Sequence, residues 1–229
     1  QCVLGAIYFT GEYIARDMKK AIHYFQLAAD QNLADAQNKL GAIYFTGEYI
    51  ARDMNKAIHY FQLAANNNNS DAQYNLGLAY EKGEYLGVDI NKAIHYYSLA
   101  ANQNHPDALF GLGMIYLESD MSKAIYYLTQ AANQNYSKAQ YNLGVIYYEG
   151  KNITRDINKS IYYYSLASRQ NNAQAQFNLG MIYERGEYVK RDINMTIVLY
   201  SLAANQNEPK AQFCLGLIYY TGQYIKRDM

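Results

Sequence analysis

The dipeptide Leu-Gly returns along this chain at a nearly fixed period, and that periodicity narrows the possible folds more than any other feature. Its glycines stand at Gly5, Gly41, Gly77, Gly113, Gly144, Gly180 and Gly216, spaced by 36 residues except for one interval of 31. Residues 4–29 and 40–65 differ only at Lys19 against Asn55. The third residue after each glycine is always Tyr: Tyr8, Tyr44, Tyr80, Tyr116, Tyr147, Tyr183 and Tyr219. Five residues before the glycine of every complete unit is Ala, at Ala36, Ala72, Ala108, Ala139, Ala175 and Ala211. A period of this length marks a stacked repeat architecture, in which each copy is one supersecondary unit.

Two helices are predicted per unit. Ala36, Leu40, Ile43 and Tyr44 follow the i, i+4, i+7, i+8 spacing of one helix face. Gly41 falls inside that helix, where glycine costs about 0.5–1 kcal/mol relative to alanine. Close approach of a neighbouring helix backbone is the expected reason. The helix should stop at Gly47, with residues 48–52 as a loop. Asp53 is then expected to cap the second helix, as are Asp17, Asp89, Asp120, Asp156, Asp192 and Asp228. Ala57, Tyr60, Phe61, Ala64 and Ala65 form its inward face, and the polar run from Asn66 to Asn69 ends it. Pro106 and Pro209 suit the first turns of the helices that follow.

The 31-residue interval maps to one place. The unit of Gly113 passes from Tyr116 to Asp120 without the glycine-containing loop, so a shortened loop is expected and the array continues. A hairpin this short cannot bury its apolar face alone. Stacked copies can, so the predicted fold is all-α: an α-solenoid, a right-handed superhelix of about six and a half antiparallel hairpins forming one array over residues 1–229. Gln1 opens inside a first helix and Met229 follows the Asp of a second, so the array is expected to be cut inside a repeat at both ends.

Ala72, Leu76, Gly77, Tyr80, Gly83, Asp89, Lys92, Ala93, Ala100 and Ala101 make up one full set of a pattern that resembles the Sel-one-like repeat family, within the tetratricopeptide-like superfamily. The likeness runs the length of the chain. It departs at Tyr60, Tyr96, Tyr127 and Tyr163, where the family often has Trp, and in the Gly-Glu-Tyr loops. Met195, Thr196 and Leu199 also depart from the pattern in the last complete unit. The resemblance implies a non-catalytic scaffold or adaptor that gathers other proteins. It also leaves room for a passive spacer or regulatory arm of a larger multidomain protein.

Composition removes other classes. Twenty basic and 20 acidic residues give a formal net charge of zero, which opposes nucleic-acid binding, since phosphate recognition needs clustered Lys and Arg. No apolar run approaches the roughly 20 residues of a membrane span. A cysteine-rich branch of the resembled family carries a disulfide in each repeat and β-lactamase-like activity. Cys2 and Cys214 are the chain's only cysteines, too few for that pattern, and as free thiols they point to a reducing, cytoplasmic compartment. Five Asn-x-Ser/Thr sequons, at Asn68, Asn135, Asn152, Asn158 and Asn194, leave the endoplasmic-reticulum lumen open.

No catalytic group, cofactor or metal site is expected. His23, His59 and His95 hold one position in three successive second helices. Equivalent residues lie about 8–10 Å apart, too far to share one ion at about 2 Å, and the position faces solvent. Arg16, Arg52, Arg155, Arg191 and Arg227 precede the capping Asp and are expected to form exposed ion pairs worth under about 1 kcal/mol.

The remaining candidate is the first-helix face turned away from the core, which lines the concave surface of tetratricopeptide-like solenoids. Three positions before the glycine it carries Tyr74, Phe110, Tyr141, Phe177 and Phe213, and one position after it Leu78, Met114, Val145, Met181 and Leu217. Aromatics and methionine suit an adaptable partner-binding surface. Asn75, Lys82, Glu118, Asn142, Glu149, Asn178 and Arg185 supply a polar rim. The competing reading has the rings packing on the next repeat's first helix. Cys2 and Asn38 take the ring position in the first two units, so the groove is expected to start near residue 74.

Overall fold

The structure is a computed structural model that describes residues 1–11, 15–48, 50–83 and 85–222. These residues form thirteen helices and no strand. The hairpins are α1 (Cys2–Thr10) with α2 (Met18–Ala29), α3 (Ala34–Thr46) with α4 (Met54–Asn66), and α5 (Ser70–Lys82) with α6 (Ile90–Ala101). After α7 (Pro106–Tyr116) and α8 (Met121–Asn133) come α9 (Ser137–Glu149) with α10 (Ile157–Arg169), and α11 (Ala173–Arg185) with α12 (Ile193–Asn205). The last is α13 (Pro209–Thr221). The chain divides into two compact units, Gln1–Leu112 and Gly113–Met229. In the first, helices α1 to α6 each pack on their sequence neighbours; in the second, α8 to α13 do the same. Both units follow the α-solenoid plan of consecutive antiparallel hairpins.

Local chemistry sets each hairpin. The carboxylate of Asp53 accepts the Lys56 amide at 3.0 Å, and Asp17, Asp89, Asp120, Asp156 and Asp192 cap their helices alike. Asp228 and Arg227 lie outside the described residues. The Asp53 amide donates to the Tyr44 carbonyl at 3.0 Å, closing the loop. Asp120 makes the same bond to Tyr116 at 2.8 Å. The loop five residues shorter therefore keeps its closure, and the hairpin survives as expected.

First helices other than α7 end on a left-handed glycine, such as Gly47 at φ 65°. Second helices end differently. Asn68 takes φ 60° and donates its amide to the Ala65 carbonyl, while Asn69 donates to Ala64, the paired bonds of a Schellman turn. Asn32, Asn104, Asn135, Asn171 and Asn207 occupy the same left-handed conformation. Asparagine is the side chain that tolerates it best after glycine.

The interior glycines do make room, though for a ring in place of the expected helix backbone. A Cβ on Gly41 would lie 2.5 Å from Cδ1 of Phe61, and one on Gly180 would lie 2.8 Å from the ring of Tyr200. Gly77 faces Tyr97 and Gly144 faces Tyr164 in the same way. These second-helix rings are buried. The Tyr three residues after the glycine stacks on a second-helix Tyr, as in Tyr44–Tyr60 at 5.9 Å and Tyr147–Tyr163 at 5.9 Å. Ammonium groups lie over the first ring of each pair, Lys56 at 5.0 Å and Lys159 at 4.9 Å. In the divergent repeat, Thr196 replaces the usual Ala and is fully buried. Its hydroxyl donates to the Gly180 or Asp192 carbonyl, at 3.3 and 2.9 Å.

Four buried glutamines hold successive repeats in register. Gln140 donates to the Ala132 carbonyl at 3.1 Å and accepts from the Gln170 amide at 2.7 Å. Gln37, Gln73 and Gln176 repeat the arrangement with Asn67, Gln103 and Gln206 as their donors. Leu109 stands at the equivalent position in the fourth repeat, also buried. Gln140→Ala should therefore cost about 1–2 kcal/mol through the lost bonds and the vacated volume. Gln140→Leu, which copies the Leu109 solution, should cost less. Urea unfolding of the two variants tests this ordering.

Candidate functional site: the first-helix face

The candidate face is built on the rings that fill the glycine notches. In the first unit, Tyr74 on α5 is half-buried, with its ring stacked on Tyr97 at 5.7 Å and on His105 at 5.1 Å. Burial pushes its hydroxyl pKa up, with Asp107 and Glu81 adding in the same direction. Phe110 on α7 is half-buried too. In the second unit, Tyr141 leans on Tyr164 at 6.0 Å and Phe177 stacks on Tyr200 at 5.4 Å. Val145 joins Tyr141 against the cluster around Tyr164 and Leu179, and Met181 is half-buried. Met114, Leu217 and Phe213 are the most open, at 38%, 45% and 67% exposure.

Tyr74, Tyr141 and Phe177 thus stack on a second-helix ring of their own repeat, and Tyr74 also stacks on His105 just before α7. Tyr141 also packs against the cluster that includes Ala175 and Leu179 of α11, the first helix of the following repeat. The buried shelf beneath them is polar at defined points. Tyr97 donates to Glu81 at 2.5 Å, Tyr200 to Glu184 at 2.7 Å, and Asn178 donates to the Tyr164 hydroxyl at 3.1 Å. Burial raises the pKa of all three hydroxyls well above the ordinary tyrosine value.

The polar rim is uneven. Lys82, Glu118, Glu149 and Arg185 are exposed. Asn75 bonds Asn38 at 3.4 Å, Asn142 bonds the Lys138 carbonyl at 2.8 Å, and Arg185 donates to the Tyr148 hydroxyl at 3.0 Å. Leu78 has a role that sequence spacing did not show. With Phe45, Met54, Phe61, Ala79 and Leu86 it lines a small apolar pocket of about 30 Å³, open to solvent, rimmed by Asn75, Lys82 and Tyr85. A space of this size admits only the tip of an apolar side chain.

Arg155 behaves differently from expectation. Among the described residues Asp156 pairs with Lys159 at 3.7 Å, while Arg155 lies between the rings of Tyr148 and Tyr188, at 4.8 and 4.7 Å. It also donates to the Tyr148 carbonyl at 2.6 Å and the Tyr188 hydroxyl at 2.7 Å. Arg52 likewise lies over Phe45 and Tyr85. A planar guanidinium stacks on rings at low desolvation cost, so the loop of one repeat is clamped to the loop of the next. Periodic aromatics beside each arginine were the available signal in the sequence.

His23, His59 and His95 are exposed, as expected. No group of three or more His, Cys, Asp or Glu able to hold a metal occurs among the described residues. Both cysteines are free. Burial and Glu184 raise the Cys214 thiol pKa, opposite to what a nucleophile needs. None of the described helices is long and apolar enough to cross a membrane.

Comparison with known proteins agrees with the repeat pattern. No curated protein sequence matches the chain. Among solved structures, c5321, a protective antigen of uropathogenic Escherichia coli with an SLR fold, is 28% identical with a TM-score of 0.88, over 95% of this chain and 48% of that one. A Sel1 repeat protein from Oxalobacter formigenes is 31% identical with a TM-score of 0.85, over 95% of this chain and 64% of that one. The chain thus spans about half to two thirds of these relatives. The immunity protein PA5088 of Pseudomonas aeruginosa, 19% identical with a TM-score of 0.58 over 90% of this chain and 82% of that one, shares the fold alone. The Sel1 repeat matches seven times in succession, at residues 1–33, 34–69, 70–105, 106–136, 137–172, 173–208 and 209–229, and the chain belongs to the Sel1 repeat family.

Proposed function

We propose that this chain is a non-catalytic scaffold or adaptor that holds partner proteins on the outward face of its first helices, its seven repeats serving as one array. Sel1 repeat proteins are in general interaction scaffolds. One observation carries the reading to this face: Tyr74, Tyr141 and Phe177 are anchored by ring stacking yet half-exposed. A ring fixed before binding loses little side-chain entropy when a partner arrives, so its contact area converts efficiently into affinity.

A random-peptide display library selected on the immobilised chain tests this reading. Selected peptides should bind the combined variant Tyr74→Ala, Phe110→Ala, Tyr141→Ala at least tenfold more weakly, with the helical circular dichroism retained. Failure to enrich any peptide, or wild-type affinity in the variant, rejects the reading.

A further inference from the structure

The apolar pocket around Leu78 has a counterpart one repeat earlier. Phe9, Ala42 and Ile43 line that earlier pocket, with Lys39, Thr46 and Glu48 at its exposed mouth. Phe45, Leu78 and Ala79 line the later one, with Lys82 at its mouth. Phe9 and Phe45 are 36 residues apart, as are Ala42 and Leu78. The pockets are therefore copies of one structure, displaced by one repeat within the first unit.

The same position in the second unit carries polar groups. There Tyr148 and Tyr164 replace Phe45 and Phe61, and their hydroxyls accept from Arg185 at 3.0 Å and Asn178 at 3.1 Å. Phenylalanine has no hydroxyl to make those bonds. Two Phe/Tyr differences thus keep the first-unit pockets apolar, where the second-unit position has hydroxyls bridged to Arg185 and Asn178.

The charge at the mouths is selective. Lys39 and Lys82 are exposed, and neither has an ion-pair partner among the described residues. Glu48, at the edge of the earlier pocket, is already engaged. Equivalent points on adjacent packed helices lie about 8–10 Å apart. A polyproline II segment advances about 9 Å in three residues and returns each third side chain to the same face. A β-strand would present its third side chain on the opposite face.

We propose that the two pockets form a paired anchor site for an acidic linear segment in the polyproline II conformation. Leucine-type side chains at positions i and i+3 insert their methyl ends into the pockets, and flanking carboxylates face Lys39 and Lys82. This deepens the scaffold reading and rests on it.

The probe is a fluorescein-labelled acetyl-ELPELE-amide peptide, whose leucines stand three apart, followed by fluorescence anisotropy. Saturable binding is expected, weakened at least tenfold when the spacing is widened to ELPEELE or the charges are reversed to KLPKLK. Making the pocket polar with Phe45→Tyr, Phe61→Tyr and Lys82→Arg copies residues that already pack at the equivalent second-unit position. That variant should fold as the wild type does and lose at least tenfold in affinity.

No binding of ELPELE, equal binding of the three peptides, or undiminished affinity in the polar variant overturns the paired site. If display-selected peptides still depend on Tyr74, Phe110 and Tyr141 while ELPELE does not bind, the scaffold reading stands and the paired site falls. If ELPELE binds and the polar variant loses it while no display peptide depends on those rings, the outward-ring face is wrong and the pockets are the binding surface.

Discussion

Gly41→Ala is expected to destabilise the protein by about 1–2 kcal/mol, against the direction of helix propensity. Gly41 lies inside α3, where alanine alone would gain about 0.5–1 kcal/mol. The new methyl would sit 2.5 Å from Cδ1 and 2.7 Å from Cε1 of the buried Phe61 ring. Those atoms belong to a ring enclosed by its own helix and neighbours, so it cannot swing aside cheaply. Overpacking of this kind costs about 1–3 kcal/mol and outweighs the propensity gain. Gly216 is the internal control. It has the same place in its repeat, but nothing lies within 4 Å of a Cβ there among the described residues. Gly216→Ala should therefore stabilise the 229-residue chain, by about 0.5–1 kcal/mol. Urea unfolding of both variants decides the matter, and a stabilised Gly41→Ala protein would show that the notch is not filled as described.

Unfolding in alkali is expected to set in steeply above pH 10. Tyr97, Tyr164 and Tyr200 are buried, and burial raises each hydroxyl pKa in the folded state. Hydrogen bonds to Glu81 and Glu184 push Tyr97 and Tyr200 further the same way. The unfolded chain ionises its tyrosines near pH 10, whereas the folded chain holds these three protons. The stability they contribute is complete below pH 10 and is lost as pH rises above it, because the unfolded state then binds fewer protons. Each group adds about 1.4 kcal/mol per pH unit to the slope, so the three together remove about 4 kcal/mol per unit. Tyr164→Phe should reduce that slope by about a third. A flat unfolding free energy between pH 9 and 11.5 would contradict the burial of these hydroxyls.

The repeat, the helix limits and the capping aspartates could be read from the chain because each depends on residues within one helical turn or on simple recurrence. Asp53 caps α4 through an amide three residues away, and Gly47 ends α3 through a carbonyl four residues back. The short loop at Tyr116 was legible for the same reason. The candidate face was legible only in part. Its residues lie at the expected positions, but their contacts with Tyr97, Tyr164 and Tyr200 reach across 23 residues of sequence, beyond any helical spacing. The expected ion pair of Arg155 gave way to rings because Tyr188 arrives from the following repeat, 33 residues on.

Sequence by itself determined that this protein is a succession of helix hairpins, where each helix begins and ends, and which faces are apolar. Backbone geometry and short-range hydrogen bonding suffice for that. Tertiary structure decided what fills each glycine notch, which glutamines lock successive repeats, and why the sites at Phe45 and Phe9 are apolar pockets while Tyr148 is bonded to Arg185. Those outcomes depend on how two helices from different parts of the chain meet, where one hydroxyl more or less determines whether a space is bridged by hydrogen bonds or left apolar and accessible.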